Sequence, residues 1–193
     1  MAELKHVFVL GMVAVLAAVL VYFVLAPYAE QPVSACNFSE PPADLNLPKV
    51  SPELQNGMQA PLFNATDIDG GKVVLSSFRG QVVVVNFMGT WCQACFWEAG
   101  RLVGVYNTYS NRGLKMLSIS VEPDNSTAKV REFRSKYCTG WQFILDNKGL
   151  VTLYKAENLP TTYVIDRSGY IVYGHVGIID TQELSSEINR LLN

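Results

Sequence analysis

Gln81-Val82-Val83-Val84-Val85-Asn86-Phe87 is a nearly unbroken run of β-branched and apolar residues. A strand with one wet face alternates apolar and polar side chains, whereas a strand without alternation needs cover on both faces. The run therefore reads as the central strand of a sheet with layers packed above and below it. Around it the chain alternates. A strand is predicted at 73–75 after Asp69-Gly70-Gly71, and a helix at 95–112 closed by Gly113. A buried strand follows at 114–121, then a helix at 126–137 with Arg131, Glu132, Arg134 and Lys136 on its wet side. Strands at 161–165 and 170–173 flank the turn Asp166-Arg167-Ser168-Gly169. Leu184, Ile188, Leu191 and Leu192 make one stripe of a closing helix at 181–192. This order predicts an α/β fold with a mixed central sheet flanked by helices.

The N-terminal 26 residues follow a different rule. Residues 7–26 contain no charged side chain and no proline. Twenty helical residues span about 30 Å, the thickness of a bilayer's hydrocarbon core. Lys5 precedes the run and no Lys or Arg follows until Lys49, a bias that places the N-terminus in the cytoplasm. The run is longer than the apolar region of a signal peptide, and Ala26-Pro27-Tyr28-Ala29 is a poor cleavage site. Val33-Ser34-Ala35-Cys36 has the look of a lipoprotein box, but Glu30 and two prolines separate it from the apolar run. The expectation is a single-pass transmembrane anchor at 1–26 in the cell membrane, with the rest of the chain outside the cytoplasm. Six of the nine prolines fall in residues 27–59, which read as a tether. The globular domain is then expected at 60–193.

Composition closes off other classes. At 49% hydrophobic and 17% charged, the chain is too apolar for a disordered protein. Its 15 basic residues against 17 acidic ones offer no field for a nucleic-acid backbone. Four cysteines are too few for a disulfide scaffold but enough for a redox site.

The central strand runs directly into Gly89-Thr90-Trp91-Cys92-Gln93-Ala94-Cys95. Two thiols at i and i+3 on a first helical turn share a face and lie close enough to bridge. Unpaired N–H groups and the positive helix end stabilise a thiolate at Cys92, the species that attacks disulfides. Cys95, one turn deeper, suits resolution of the mixed disulfide, and Trp91 is expected to cover one side of the pair. Half a zinc site is the bland alternative. It needs further ligands, and only His6, His175 and two isolated cysteines remain, with His6 across the anchor.

The run VVVVNFMGTWCQAC, taken with Leu159-Pro160-Thr161-Thr162-Tyr163-Val164-Ile165-Asp166, resembles the membrane-anchored thioredoxin-like proteins of the TlpA/ResA/DsbE type. The APLF opening and the LSSFRGQVVVVNF lead-in extend the resemblance over residues 60–193. It implies a thioredoxin fold, a dithiol/disulfide cycle at Cys92 and Cys95, and a cis peptide bond before Pro160, which would face the pair. The family often has a buried glutamate at the place of Glu98. A desolvated carboxyl there would move the Cys95 proton; a solvated charge paired with Arg101 or Arg112 fits the sequence equally well. Asn86 stands where cytosolic thioredoxins carry a buried aspartate. Phe96, Trp97 and Gly100 depart from the family's basic residue and proline, and the two aromatics fit either an apolar lip or the core.

The resulting expectation is an exported thiol–disulfide oxidoreductase acting on disulfide-bearing proteins; the resemblance leans towards a reductant recharged by a membrane electron donor and leaves an oxidant open. No cofactor and no nucleic acid is expected. The alternative is a thioredoxin-fold copper chaperone using the same cysteines, with His175 as a third ligand. Otherwise His175 is a structural histidine. Cys36 and Cys138 read either as a disulfide tying the tether to the domain or as separate thiols, with Cys138 against Trp141.

Overall fold

A computed structural model of the chain describes Cys36, Pro41, Pro42, Leu54 and residues 56–193. The expected anchor at 7–26, His6 and most of the tether lie outside the described residues. Among those described, no helix is long and apolar enough to cross a membrane.

Two short strands, β1 (Asn64–Thr66) and β2 (Lys72–Val74), pair antiparallel. Asp67 Oδ1 accepts the Asp69 and Gly71 N–H groups and closes their turn. The main sheet then begins with β3 (Val82–Met88), buried at all seven positions. After it come α1 (Gln93–Tyr109), β4 (Leu114–Ser120), α2 (Thr127–Lys136), β5 (Gln142–Leu145) and the one-turn α3 (Leu150–Leu153). The chain finishes with β6 (Thr161–Ile165), β7 (Ile171–Val176) and α4 (Thr181–Leu192). The strand order is β5-β4-β3-β6-β7. β3, β4 and β5 run parallel, while β6 and β7 run antiparallel to their neighbours. This is a thioredoxin-like α/β fold with a mixed central sheet.

The two-sided cover expected for the valine run is present. Val82, Val84 and Met88 join one buried cluster with Leu102 and Val105 of α1, Val130 of α2, and Leu184 and Ile188 of α4. Val83, Val85 and Phe87 join another with Phe63, Val73, Leu75, Leu150 and Tyr154. Each such fully buried side chain contributes roughly 1.5–3 kcal/mol of hydrophobic stabilisation. Strand parity also has a consequence for the site. Asn86 shares parity with Val84 and Met88, so it faces the α1 side of the sheet.

The packed chain reaches further back than Ala60. Leu54 is buried in the second cluster, and Gly57 N–H and Met58 C=O bond the backbone of Ile171. Cys36 and Cys138 are joined in a disulfide, so Cys138 is not a free thiol lying against Trp141. Strands β1 and β5 and helix α3 were not expected from the sequence; each has three or four residues, too few to show a period.

Candidate active site

Strand β3 delivers the chain to the Gly89–Cys92 turn at the edge of the sheet. Helix α1 starts two residues earlier than its predicted first residue, which makes Cys92 the N-cap rather than a first-turn residue. Its Sγ lies 3.2 Å from the Cys95 N–H, in the place a serine or aspartate oxygen takes at other helix starts. Cys92 and Cys95 form a disulfide, with 8% and 2% of their surfaces exposed. The order of exposure makes Cys92 the accessible partner.

Pro160 immediately precedes β6, and the Leu159–Pro160 peptide is cis. β6 pairs antiparallel with β3 so that Thr161 lies opposite Phe87. Pro160 therefore arrives at the sheet edge from which the redox turn departs. It is buried, and its carbonyl accepts the Gly177 N–H at 2.7 Å.

Glu98 sits one turn beyond Cys95 and is 1% exposed, which removes the solvated alternative. Its Oε2 accepts a hydrogen bond from Asn86 Nδ2 at 2.7 Å, and its Oε1 accepts the Ile179 N–H at 3.3 Å. Thr162 Oγ1 lies 3.0 Å from Asn86 Nδ2 and 3.5 Å from Glu98 Oε1. Burial pushes the Glu98 carboxyl up to about 8, against the hydrogen bonds from Asn86, Ile179 and Thr162 that favour its charged form. The network continues sideways. Ser118 Oγ bonds Asn86 Oδ1 at 3.4 Å, and Trp141 Nε1–H donates to Ser118 Oγ at 2.8 Å. Asn86, Ser118 and Thr162 are register partners on three neighbouring strands, so pairing alone aligns them.

Trp91 directly precedes Cys92 in the chain. It is 58% exposed, its indole N–H donates to the Val121 carbonyl at 2.9 Å, and its ring packs on Gly89. Its indole is thereby held towards the end of β4. A groove of about 290 Å³ runs from Trp91 and Thr90 past Phe96 to Phe133 and Tyr137. Phe96 stacks on Tyr137 at 5.8 Å between ring centroids and packs against the first core cluster. It is thus part core and part groove wall, while Trp97 is half-buried. His175 lies on β7 opposite Thr162. Among the described residues, no group of three His, Cys, Asp or Glu side chains is placed to hold a metal.

Three participants were not singled out from sequence. Thr162 and Ser118 join the Glu98 network across the sheet. Glu122, just beyond β4, is buried and bonds Thr90. Their only local signal is a polar residue inside or directly after a buried strand.

Residues 56–174 match the AhpC/TSA family. The chain belongs to that family. The thiol-disulfide oxidoreductase ResA of Geobacillus kaustophilus is 30% identical over 137 residues, covering 70% of this chain and 77% of its own. The thioredoxin-like protein YneN of Bacillus subtilis is 29% identical over 137 residues, covering 70% and 80%. Among solved structures, one described as a thiol:disulfide interchange protein DsbE from Chlorobium tepidum superposes with a TM-score of 0.67 at 26% identity. That match covers 73% of this chain and all of the other. With this kinship the chain is a thiol–disulfide oxidoreductase of the ResA/DsbE type, as the resemblance implied.

Proposed function

We propose that the protein is an exported, membrane-tethered oxidoreductase that reduces disulfides of extracytoplasmic proteins through Cys92 and Cys95. The observation that carries this reading is the paired thiols at a helix N-terminus with the buried Glu98 carboxyl one turn behind. In the reduced state the Cys92 thiolate, favoured by the helix end, attacks one sulfur of a target disulfide. A mixed disulfide forms and the first target thiolate leaves. Cys95 then loses its proton and attacks Cys92 Sγ, which frees the second target thiolate and restores the Cys92–Cys95 disulfide. Two electrons have passed to the target. A carboxyl near 8 lies close to an ordinary thiol's 8.5, so transfer of the Cys95 proton to the ionised form of Glu98 is nearly balanced. Pro160 lies at the same end of the sheet as the turn carrying the pair, and backbone beside it suits pairing with an extended substrate strand.

Export is supported by the Cys36–Cys138 disulfide, since such bonds persist in oxidising compartments. Tethering rests on the uncharged run at 7–26. Anchored this way, the domain shares a surface with a membrane electron donor that returns the pair to its dithiol form, and confinement raises their encounter rate.

The test is the reduction potential of the Cys92–Cys95 pair in the full chain. It is read as the mass-tagged fraction of the peptide carrying both cysteines across dithiothreitol and glutathione buffers. The expected value is about −270 mV or lower, the range of a reductant. A value near about −120 mV would reverse the direction of electron flow. The absence of any reversible couple would remove the exchange reading and favour a thiolate metal carrier.

A further inference from the structure

Two consecutive residues beyond β4 grip the two residues ahead of the nucleophile. Val121 C=O accepts the Trp91 indole N–H at 2.9 Å, and Val121 N–H donates to Met88 C=O at 2.8 Å. Glu122 does more. It is 6% exposed, and its carboxylate takes three donors. Oε1 accepts the Thr90 backbone N–H at 2.8 Å and the Ser120 hydroxyl at 2.7 Å, while Oε2 accepts the Thr90 hydroxyl at 2.7 Å. Thr90 is two residues from Cys92. Lys129, paired with Asp124 at 2.6 Å, lies within electrostatic reach of Glu122.

We infer that Glu122 is a positioning residue for thiol exchange: its buried carboxylate clamps the turn carrying Cys92 and sets a fixed negative charge behind the attacking sulfur. Two effects follow from one group. The clamp fixes the turn that places Cys92 at the helix cap, which limits the search of its thiolate for an attack position. The charge acts in the opposite sense to the helix end. It disfavours the Cys92 thiolate, and so biases the couple towards the disulfide and makes the reduced pair a stronger donor.

The two effects separate by substitution in the full chain. Glu122→Gln keeps all three bonds, because its carbonyl retains the Thr90 N–H and Ser120 hydroxyl and its amide donates to a turned Thr90 hydroxyl. Only the charge is lost. Its equilibrium with glutathione is expected to move about tenfold towards the dithiol, which corresponds to about 30 mV. Its rate of reoxidation by oxidised glutathione, read on the Cys92–Cys95 peptide after acid quench, should stay within about threefold of the parent. Glu122→Ala should show the same shift and lose a further factor of about ten in rate. Thr90→Val, which removes one bond of three, should slow exchange about threefold and leave the equilibrium where it was.

A parent-like equilibrium for Glu122→Gln together with a parent-like rate for Glu122→Ala overturns the assignment. If Glu122→Ala does not fold, the Gln and Val variants decide, and parent behaviour in both overturns it equally. The inference rests on the exchange reading above. A parent chain with no reversible couple removes both, whereas a normal parent couple with unmoved variants removes the clamp alone.

Discussion

The protein carries two disulfides that differ in almost every physical respect. Cys92–Cys95 joins residues three apart at the start of a helix, with a buried carboxyl one turn away. Cys36–Cys138 joins residues 102 apart, at the point where α2 has ended. By loop-closure entropy the short ring restrains the unfolded chain by under about 2 kcal/mol, and the long one by about 4–5 kcal/mol. One bond is therefore made to be broken during turnover, and the other holds the folded state together. The bond type is the same; placement decides which is chemistry and which is scaffold.

That contrast can be broken at either bond. Replacing Cys92 by Ser should reduce disulfide exchange by at least about 10⁴-fold, because a hydroxyl is no substitute for the thiolate. Its melting temperature should move by only a few degrees. Replacing Cys36 and Cys138 together by Ser should do the reverse. Melting should fall by about 10–15 °C, and exchange per folded molecule should stay within about twofold. If the paired variant lost exchange instead, the division of labour would be wrong.

Glu98 sharpens the chemical half. Glu98→Gln should slow resolution of a trapped mixed disulfide by about 10²-fold and remove the dependence of that step on a group near 8. The same carboxyl leaves a mark on stability. Its folded value of about 8 stands above the ordinary 4.5, so between those values the folded chain holds a proton that the unfolded chain has released. Its contribution is fully present below about 4.5 and is lost as pH rises through about 8. Denaturant unfolding between pH 5 and pH 9 should show stability falling by a few kcal/mol, and Glu98→Gln should flatten that slope. The smallest effect belongs to Thr162→Val. It removes one of two acceptors from Asn86 and should cost about 1 kcal/mol, with exchange within threefold of the parent.

Much of this architecture is written in local pattern. The valine run, the thiol spacing, the Gly113 stop and the stripe on α4 each carry a period or a terminator strong enough to read alone. Gly113 takes a left-handed φ of 101° where the helix was expected to close. What local pattern lacks is the partner across the sheet. Glu98 has two sequence readings because its fate is set by Asn86, 12 residues away, and by Ile179, 81 residues away. Glu122 gains its partner only when Thr90 arrives from 32 residues upstream. No sequence rule reveals that the Val121 carbonyl would take the Trp91 indole N–H.

The long bond has a further meaning in terms of covalent connectivity. The ring closed by Cys36 and Cys138 contains the whole run from the tether's cysteine through the exchange pair to the end of α2. A single backbone cut anywhere inside it yields two pieces that stay linked until a reductant is added. A protease meeting this protein in an oxidising compartment could nick the ring without releasing the exchange pair from either end of the chain.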